Sequence, residues 1–136
     1  MRTSFDSFTL RDAWRIGVTL VQRCIDEKLP VTIGIWLGEQ RIFHCANEGT
    51  SADNDAWIER KANSVRRFEC SSIEAHKKFG DLGLDFYTWF GVSPADYALA
   101  GGAVPIFVRG SLVGVIAVSG LESSEDHELA CWALAQ

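Results

Sequence analysis

The chain of 136 residues lacks the features that mark several classes of protein. Its 13 lysines and arginines form no dense block, and the formal net charge is −5, which argues against a nucleic-acid partner. No apolar run is long enough to span a bilayer, and the N terminus lacks the continuous apolar core of a signal peptide. We therefore expect a cytoplasmic protein that binds neither nucleic acid nor membranes.

The usual motifs of metal, nucleotide and acyl-transfer chemistry are missing as well. The four cysteines include no C-x-x-C pair, and the three histidines form no H-E-x-x-H or other recognised ligand spacing, so the sequence predicts no metal site. No G-x-G-x-x-G or G-K-[ST] sequence occurs, and Ser119-Gly120 lacks the G-x-S-x-G context of a nucleophile elbow. The sequence therefore supports neither a nucleotide cofactor nor a catalytic serine. We interpret the cysteines as reduced and structural, with Cys70 left open because its neighbours are polar.

What the sequence does contain is an alternation of amphipathic helices and hairpins with glycine turns. Residues 8–28 carry apolar side chains at spacings of three and four, with Thr9 as the predicted N-cap. A second helix is predicted to run from Trp57 to Phe68, and a last one to begin at Ser123, where Asp126 completes a capping-box pattern. With the hairpins between them, this order predicts an α+β domain whose antiparallel sheet of four or five strands is flanked by helices.

The remaining segments give weaker signals. Residues 73–79 are compatible with a helix, residues 81–96 are predicted to be irregular, and residues 97–100 to form a short strand. The length predicts one domain over residues 1–136. Because no stop signal follows the last helix before Gln136, the sequence leaves open whether that helix is truncated.

The two hairpins allow the pairing of their strands to be predicted. A two-residue turn at Gly110-Ser111 would place Phe107 opposite Gly114, and a turn at Gly38-Glu39 would place Phe43 opposite Gly34. The same registers pair the β-branched residues with one another: Val108 with Val113, Ile106 with Val115, Ile35 with Ile42 and, less regularly, Ile33 with His44. Because Pro105 cannot donate to a ladder, its strand is predicted to be an edge or to begin beside one. Strands that are apolar on both faces predict a sheet covered on both sides.

The start of the last helix, Glu125-Asp126-His127, crowds two carboxylates and an imidazole together. The acids are typical of helix-dipole complementarity. Alternatively, His127 is a base or a ligand whose pKa is adjusted by a neighbouring carboxylate, and it is the one candidate catalytic residue.

Three further groups of residues are candidates for a binding site. Asp53-Asn54-Asp55 either caps the second helix or lines a pocket, and its two acids disfavour phosphate. Arg60 either forms part of a solvated basic face or clamps a carboxylate. Gly101-Gly102 permits close approach of the backbone and can line a pocket without side-chain chemistry.

Two stretches carry a resemblance to a known family. Residues 51–61, followed by Val65-Arg66-Arg67-Phe68 and Ser71-Ser72, resemble an uncharacterised-protein family of the haem-degrading domain superfamily. The later half, with Gly101-Gly102-Ala103-Val104-Pro105, Val118-Ser119-Gly120 and Glu125-Asp126-His127, resembles a second signature of the same family and, more distantly, the GlcG and HbpS proteins.

This resemblance implies a profilin-like α+β fold and a homo-oligomer built on dimers. It also implies haem as a candidate cofactor, because HbpS-like relatives bind haem. The sequence departs from the pattern in two places: Glu69-Cys70 stands where many relatives have Gly-His, and Ala100 where many have His. Axial ligation of a haem would then fall to Cys70, to His127 or to an oxygen donor.

Three functions follow in order of preference. The first is a binding protein for a small ligand such as a tetrapyrrole. Its predicted pocket is lined by Asp53, Asn54, Asp55, Arg60, Gly101, Gly102, Ser119, Asp126 and His127. The second is a non-catalytic oligomeric interaction protein. The third is an enzyme acting on a small acid or diol-derived metabolite, with His127 as base and Arg60 as clamp.

Overall fold

A computed structural model describes residues 4–136 of the chain. This range contains five strands and five α-helices, with a 3₁₀ turn at Gly80–Leu82. In chain order they are β1 (Ser4–Phe5), α1 (Leu10–Glu27), β2 (Thr32–Leu37), β3 (Gln40–Ala46), α2 (Ala52–Phe68), α3 (Ser72–Phe79), α4 (Asp85–Phe90), β4 (Ala103–Val108), β5 (Ser111–Ser119) and α5 (Ser123–Leu134). No helix within this described range is long and apolar enough to cross a bilayer.

The strands form one sheet in the order β1-β4-β5-β2-β3. The pairs β4–β5, β5–β2 and β2–β3 are antiparallel, as predicted, whereas the two-residue β1 runs parallel to β4 and makes the sheet mixed. The α+β prediction with up to five strands is therefore confirmed. Pro105 lies two residues before the pairing of Phe107 with β1, so its strand begins beside the edge strand, as expected.

Helices cover both faces of the sheet. On one face, α1 and α5 pack on the β-branched residues of the central strands, among them Ile33, Ile35 and Ile116, which are fully buried. On the other face, α2 packs through Ile58 and Val65 against the alternate residues of the same strands. Because successive side chains of a strand point to opposite faces, this arrangement explains why the strands are apolar throughout. The two-sided cover predicted from the sequence is confirmed.

The predicted register of the second hairpin is wrong. Its turn is Arg109-Gly110, where both residues have positive φ (50° and 84°), as a two-residue primed turn requires. Val108 therefore pairs with Ser111, and a bulge after Ile106 shifts the remaining pairs by one residue. As a result Ile106, and not Phe107, lies opposite Gly114. The predicted pairs of Val108 with Val113 and of Ile106 with Val115 are therefore also wrong.

The first hairpin turns at Gly38-Glu39 as predicted, with Leu37 paired to Gln40. A bulge between Ile35 and Trp36 then shifts the pairing, so that Gly34 lies opposite His44 and not Phe43; Ile35 pairs with Phe43, and Ile33 with Cys45. Aromatic rings still pack on glycines, but not in the cross-strand pairs that were predicted. Phe43 packs on Gly17 of α1, and Trp36 packs over Gly34, in each case so closely that an added Cβ would lie 2.6 Å from the ring. Register arithmetic fails here because a bulge leaves no mark in the apolar pattern.

The helix boundaries agree with the sequence in part. Thr9 caps α1 through a capping box with Asp12, as predicted. The helix α2 begins earlier than expected, because Ser51 is its N-cap. The predicted capping box at Ser123 is wrong: Glu122 occupies the N-cap position and makes no side-chain cap bond.

The stretch predicted to be irregular contains a helix. Helix α4 is held by a cluster of aromatic rings whose centroids lie 4.8 to 6.1 Å apart: Phe68, Phe79, Phe86 and Phe90. Residues 97–100 form no strand. Neither feature has a periodic pattern in the sequence, since α4 spans only 6 residues and depends on tertiary packing.

Candidate functional site

A small cavity lies where the first turn of α2, the end of β5 and the start of α5 meet. Its volume is about 270 Å³, and we call it the Lys61 cavity. Its lining consists of Asp53, Asn54, Trp57, Lys61, Ala100, Ser119, Gly120, Leu121, Ser123 and Asp126. Four of the nine residues predicted to bind a ligand are thereby brought together: Asp53, Asn54, Ser119 and Asp126.

The floor of this cavity is a buried pair of opposite charges. The side chains of Lys61 and Asp126 are each only 3% exposed, and Lys61 Nζ lies 3.3 Å from Asp126 Oδ2. The same ammonium donates to the carbonyl of Val118 at 2.9 Å. Asp126 in turn accepts hydrogen bonds from the backbone N–H groups of Leu121 (3.0 Å) and Gly120 (3.4 Å). The pair therefore ties α2 to the turn that joins β5 to α5.

Burial acts on both members of this pair. Removal from water lowers the pKa of Lys61, and the negative charge of Asp126 opposes that shift. Burial likewise raises the pKa of Asp126, and Lys61 together with the two backbone donors opposes it. Burial favours the neutral form of each group, so the ammonium and the carboxylate depend on each other to stay charged.

Asn54 and Ser119 form the polar wall of the cavity. The amide of Asn54 accepts a hydrogen bond from the backbone N–H of Ser51 and donates to Ser119 Oγ at 3.3 Å. Asn54 thus completes the capping box of α2 and joins that helix to the last residue of β5. The sequence left open whether residues 53–55 cap the helix or line a pocket. Asn54 does both.

Gly101 and Gly102 make the close backbone approach that the sequence predicted. A Cβ on Gly102, whose φ is 133°, would lie 2.4 Å from the carbonyl oxygen of Val118 and 2.6 Å from Lys61 Nζ. A Cβ on Gly101 would lie 2.4 Å from the carbonyl oxygen of Ser123. The glycine pair therefore lets the chain pass directly beside the Lys61–Asp126 pair.

Arg60 is engaged in holding a neighbouring segment. Its guanidinium stacks on Trp57, 4.5 Å from the ring centroid, and donates to the carbonyl of Tyr97 at 3.4 Å. Asn63 and Arg67, on the same face of α2, donate to the carbonyls of Asp96 and Phe90. This face of the helix fixes residues 90–97, which lead to Gly101-Gly102, and Arg60 does not line the Lys61 cavity.

Asp55 also points elsewhere. Its carboxylate bonds His44 Nε2 at 2.5 Å, and both side chains are partly exposed. His44 is therefore a partly exposed partner of α2, and it lies opposite Gly34, not opposite Ile33 as predicted.

His127 lies in a different cavity from Asp126. This second cavity, of about 430 Å³, lies between α3, β4 and α5, and we call it the His127 cavity. Its lining comprises Phe68, Glu69, Cys70, Ser71, Ile73, Glu74, Lys77, Lys78, Val104, Pro105, Phe107, His127, Cys131 and Leu134. Adjacent residues of a helix point in directions about 100° apart, which is why Asp126 and His127 face different spaces.

The environment of His127 keeps its ring neutral. Its Nε2 lies 3.4 Å from Cys131 Sγ, whereas Nδ1 is buried and has no hydrogen-bond partner within the described range. Burial, reinforced by the charge of Lys77, lowers the pKa of His127, and Glu74 and Glu128 oppose the shift. Burial also raises the pKa of the Cys131 thiol. The cavity thus holds a neutral imidazole at neutral pH.

Sequence reasoning missed Lys61 and Trp57 as lining residues. The signal for Lys61 was present, because a lysine occupied a position of the apolar period of α2. A charged residue that falls on a buried helix face requires a partner. Across residues 4–136, no three His, Cys, Asp or Glu side chains are arranged to hold a metal ion.

Comparison with known proteins agrees with the fold. The model of the family described as Haem degrading protein HbpS-like matches residues 8–135. A UPF0303 protein of Streptomyces avermitilis is 41% identical over 136 residues, which is 99% of this chain and 83% of that relative. Among solved structures, the Ybr137w protein is 32% identical with a TM-score of 0.86, over 96% of this chain and 78% of its own.

A structure described as a PduOC:Heme complex has a TM-score of 0.79 over 95% of this chain and 94% of its own. At 16% identity this likeness shows a common fold. The family match over residues 8–135, with the 41% identity to a relative along nearly the whole chain, shows that the chain belongs to the family of haem degrading HbpS-like proteins.

Proposed function

We propose that this protein is a binding module for a tetrapyrrole such as haem, and that the ligand enters the His127 cavity. One observation carries the proposal: Cys70 and His127, the two alternative side-chain ligands named from the sequence, line the same cavity although 57 positions separate them. Thiolate and imidazole are both common axial ligands of haem iron.

The other residues of the cavity suit the rest of such a ligand. A volume of about 430 Å³ lies within the range of small-molecule sites. Apolar side chains for the macrocycle come from Val104, Phe107 and Leu134. Lys77 and Lys78 are exposed at the same cavity and carry the charge that would pair with propionate groups.

His127 is the ligand that this environment favours. Because burial lowers its pKa, the imidazole is neutral and offers a nitrogen lone pair, as iron requires. When bound, haem would supply one-electron and oxygen chemistry. The family description and the haem complex of a protein with this fold support the same class of ligand.

Titration with hemin tests the proposal. Purified protein should give a saturable Soret band at one hemin per binding site, and His127→Ala should shift or abolish it. His76→Ala is the matched control, since His76 is exposed on α3 and does not line the cavity. A shift in Cys70→Ser alone would assign the iron to the thiolate. The absence of a saturable band would exclude haem from this cavity. So would a band that is unchanged in both His127→Ala and Cys70→Ser.

A second function, an oligomeric interaction protein, is favoured by the outer surface of α1. Four apolar residues that we call the α1 stripe, Leu10, Trp14, Val18 and Ile25, are 42% to 63% exposed. Trp14 also contacts Phe43 on the edge strand β3, with 6.0 Å between ring centroids, so the stripe continues onto an open sheet edge. Large exposed apolar patches mark protein interfaces. We propose that this surface joins two copies in a dimer from which the homo-oligomer is built.

Light scattering tests the second proposal. The unaltered protein should have the mass of a dimer or a larger assembly, and Trp14→Ser should lower it. Trp89→Ser is a control, because Trp89 is 76% exposed on α4, away from the stripe. A stable monomer of the unaltered protein would refute this interface.

A further inference from the structure

Lys61 Nζ has two hydrogen-bond partners among residues 4–136. A lysine nitrogen carries Cε and three further positions in a tetrahedron. Two of these are directed at Val118 O (2.9 Å) and Asp126 Oδ2 (3.3 Å). Lys61 is also one of the residues that line the Lys61 cavity, which lies apart from the His127 cavity. The third position has no hydrogen-bond partner among residues 4–136, and it belongs to a residue of the cavity lining.

We infer that Lys61 is a carbonyl-binding amine, and that a small neutral aldehyde or ketone enters the Lys61 cavity and condenses with Nζ to form an imine. This activity is independent of haem binding. It assigns a chemical role to a buried lysine that the tetrapyrrole proposal does not use.

The lining of the cavity selects for such a ligand. Asp53 and Asp126 are both present, so an added anion would be repelled, whereas a neutral carbonyl would not. Ser119 accepts a hydrogen bond from Asn54 and retains its own hydroxyl proton for a ligand oxygen. The volume of about 270 Å³, with Ala100 and Gly120 in the wall, restricts the ligand to a small molecule.

Burial also prepares the amine for the reaction. The nucleophile is the neutral amine, and burial lowers the pKa of Lys61 so that more of this form is present than at an exposed lysine. The charged group that faces Nζ is Asp126, which opposes the shift, and Asp53 is the other acid in the cavity lining. The position of Nζ between two fixed acceptors restricts the direction of the remaining lone pair.

The reaction balances without an oxidant or a reductant. The ammonium first releases one proton to water. The nitrogen lone pair then forms a bond to the carbonyl carbon, while the carbonyl π electrons move to oxygen, which takes up a proton. The nitrogen gives up both of its amine hydrogens to solvent or to this oxygen, and the oxygen leaves as water. A C=N bond between the former carbonyl carbon and Lys61 Nζ remains. Water reverses the condensation.

Reductive trapping tests the inference. The folded protein is incubated with butanal and sodium cyanoborohydride, which converts an imine into a stable butyl-lysine, and chymotryptic peptides are analysed by mass spectrometry over a range of pH. Lys61 should be labelled at lower pH than the exposed Lys77 and Lys78. At neutral pH it should also react faster than either of them, because burial lowers its pKa and more of the neutral amine is present.

Three variants make the result specific. Lys61→Arg keeps a cation that donates hydrogen bonds but is not nucleophilic, and should lose only this label. Lys78→Arg, the matched control, should lose only the label on Lys78. Ala100→Leu fills the cavity and should slow labelling of Lys61 while that of Lys78 is unchanged.

The competing outcomes are distinct. If Lys61 is labelled only after unfolding in urea, or more slowly than Lys78 at every pH, it is a structural cation and the inference is wrong. The measurement on the unaltered protein decides this even if a variant does not fold. Equal labelling of Lys61 in the Ala100→Leu variant would show that the carbonyl compound does not arrive through the cavity, and would also overturn the inference.

Discussion

Replacement of Lys61 by methionine should destabilise the protein severely. The variant leaves the Asp126 carboxylate, 3% exposed, with only the backbone donors of Gly120 and Leu121. Removal of one partner from a buried ion pair costs about 3–5 kcal/mol, a large part of the total stability of about 5–15 kcal/mol of a domain. Methionine has nearly the length of lysine, so the loss would arise from charge and not from a cavity.

Urea unfolding at pH 7, followed by tryptophan fluorescence, measures this loss. Lys78→Met, on the exposed face of α3, is the matched control and should change the free energy of unfolding by less than about 0.5 kcal/mol. The double variant Lys61→Met with Asp126→Leu should recover part of the loss, because it removes the unpaired buried charge but leaves the backbone N–H groups of Gly120 and Leu121 without this acceptor.

The deficit should also depend on pH. Burial raises the pKa of Asp126, and without Lys61 nothing but the two backbone donors opposes that shift. The folded state then takes up a proton at a pH where the unfolded carboxyl, near 3.8, is still ionised, so the deficit shrinks as the pH falls towards that value. A loss below about 1 kcal/mol at pH 7, or a double variant as unstable as the single one, would refute the account of this pair.

Three further predictions concern other parts of the molecule. Because the pKa of His127 lies below its ordinary 6.5, the unfolded state takes up a proton first as the pH falls through 6.5, so the protein should lose stability there; His127→Gln should flatten this dependence in urea titrations at several pH values, and an unchanged slope would contradict it. Gly102→Ala should cost at least about 1–3 kcal/mol in thermal unfolding, since its φ is 133° and its Cβ would strike Val118 O, whereas Gly83→Ala, with positive φ but open space, should cost less. Arg67→Met should speed amide hydrogen exchange in residues 90–97 without affecting α5, because the guanidinium bonds the Phe90 carbonyl; equal rates would show that the Arg67 bond does not hold this segment.

Much of the fold could be predicted because the chain is locally consistent. The cap at Thr9, the turn at Gly38-Glu39 and the apolar period of α1 each act over a few residues, and the structure confirms them. The register of the first hairpin could not be predicted, since a bulge after Ile35 depends on packing between layers. The second register is wrong for two reasons: its turn is Arg109-Gly110, one residue earlier than predicted, and a second bulge follows Ile106. Helix α4 was missed for a related reason, because aromatic contacts with Phe68 stabilise it from outside its own sequence.

The candidate site divides in the same way. The sequence by itself determined which chemistry-bearing residues lie at helix starts and beside glycines, because capping and close approach are local requirements. Only the tertiary structure decided which of them share a space. Asp126 and His127 are adjacent in the chain but line separate cavities, whereas Cys70 and His127 are distant in the chain and line one. Adjacent residues of a helix point in different directions, and packing of the helices on the sheet brings residues that are distant in the chain into one cavity. The second effect depends on several elements at once, so a single stretch of residues does not predict it.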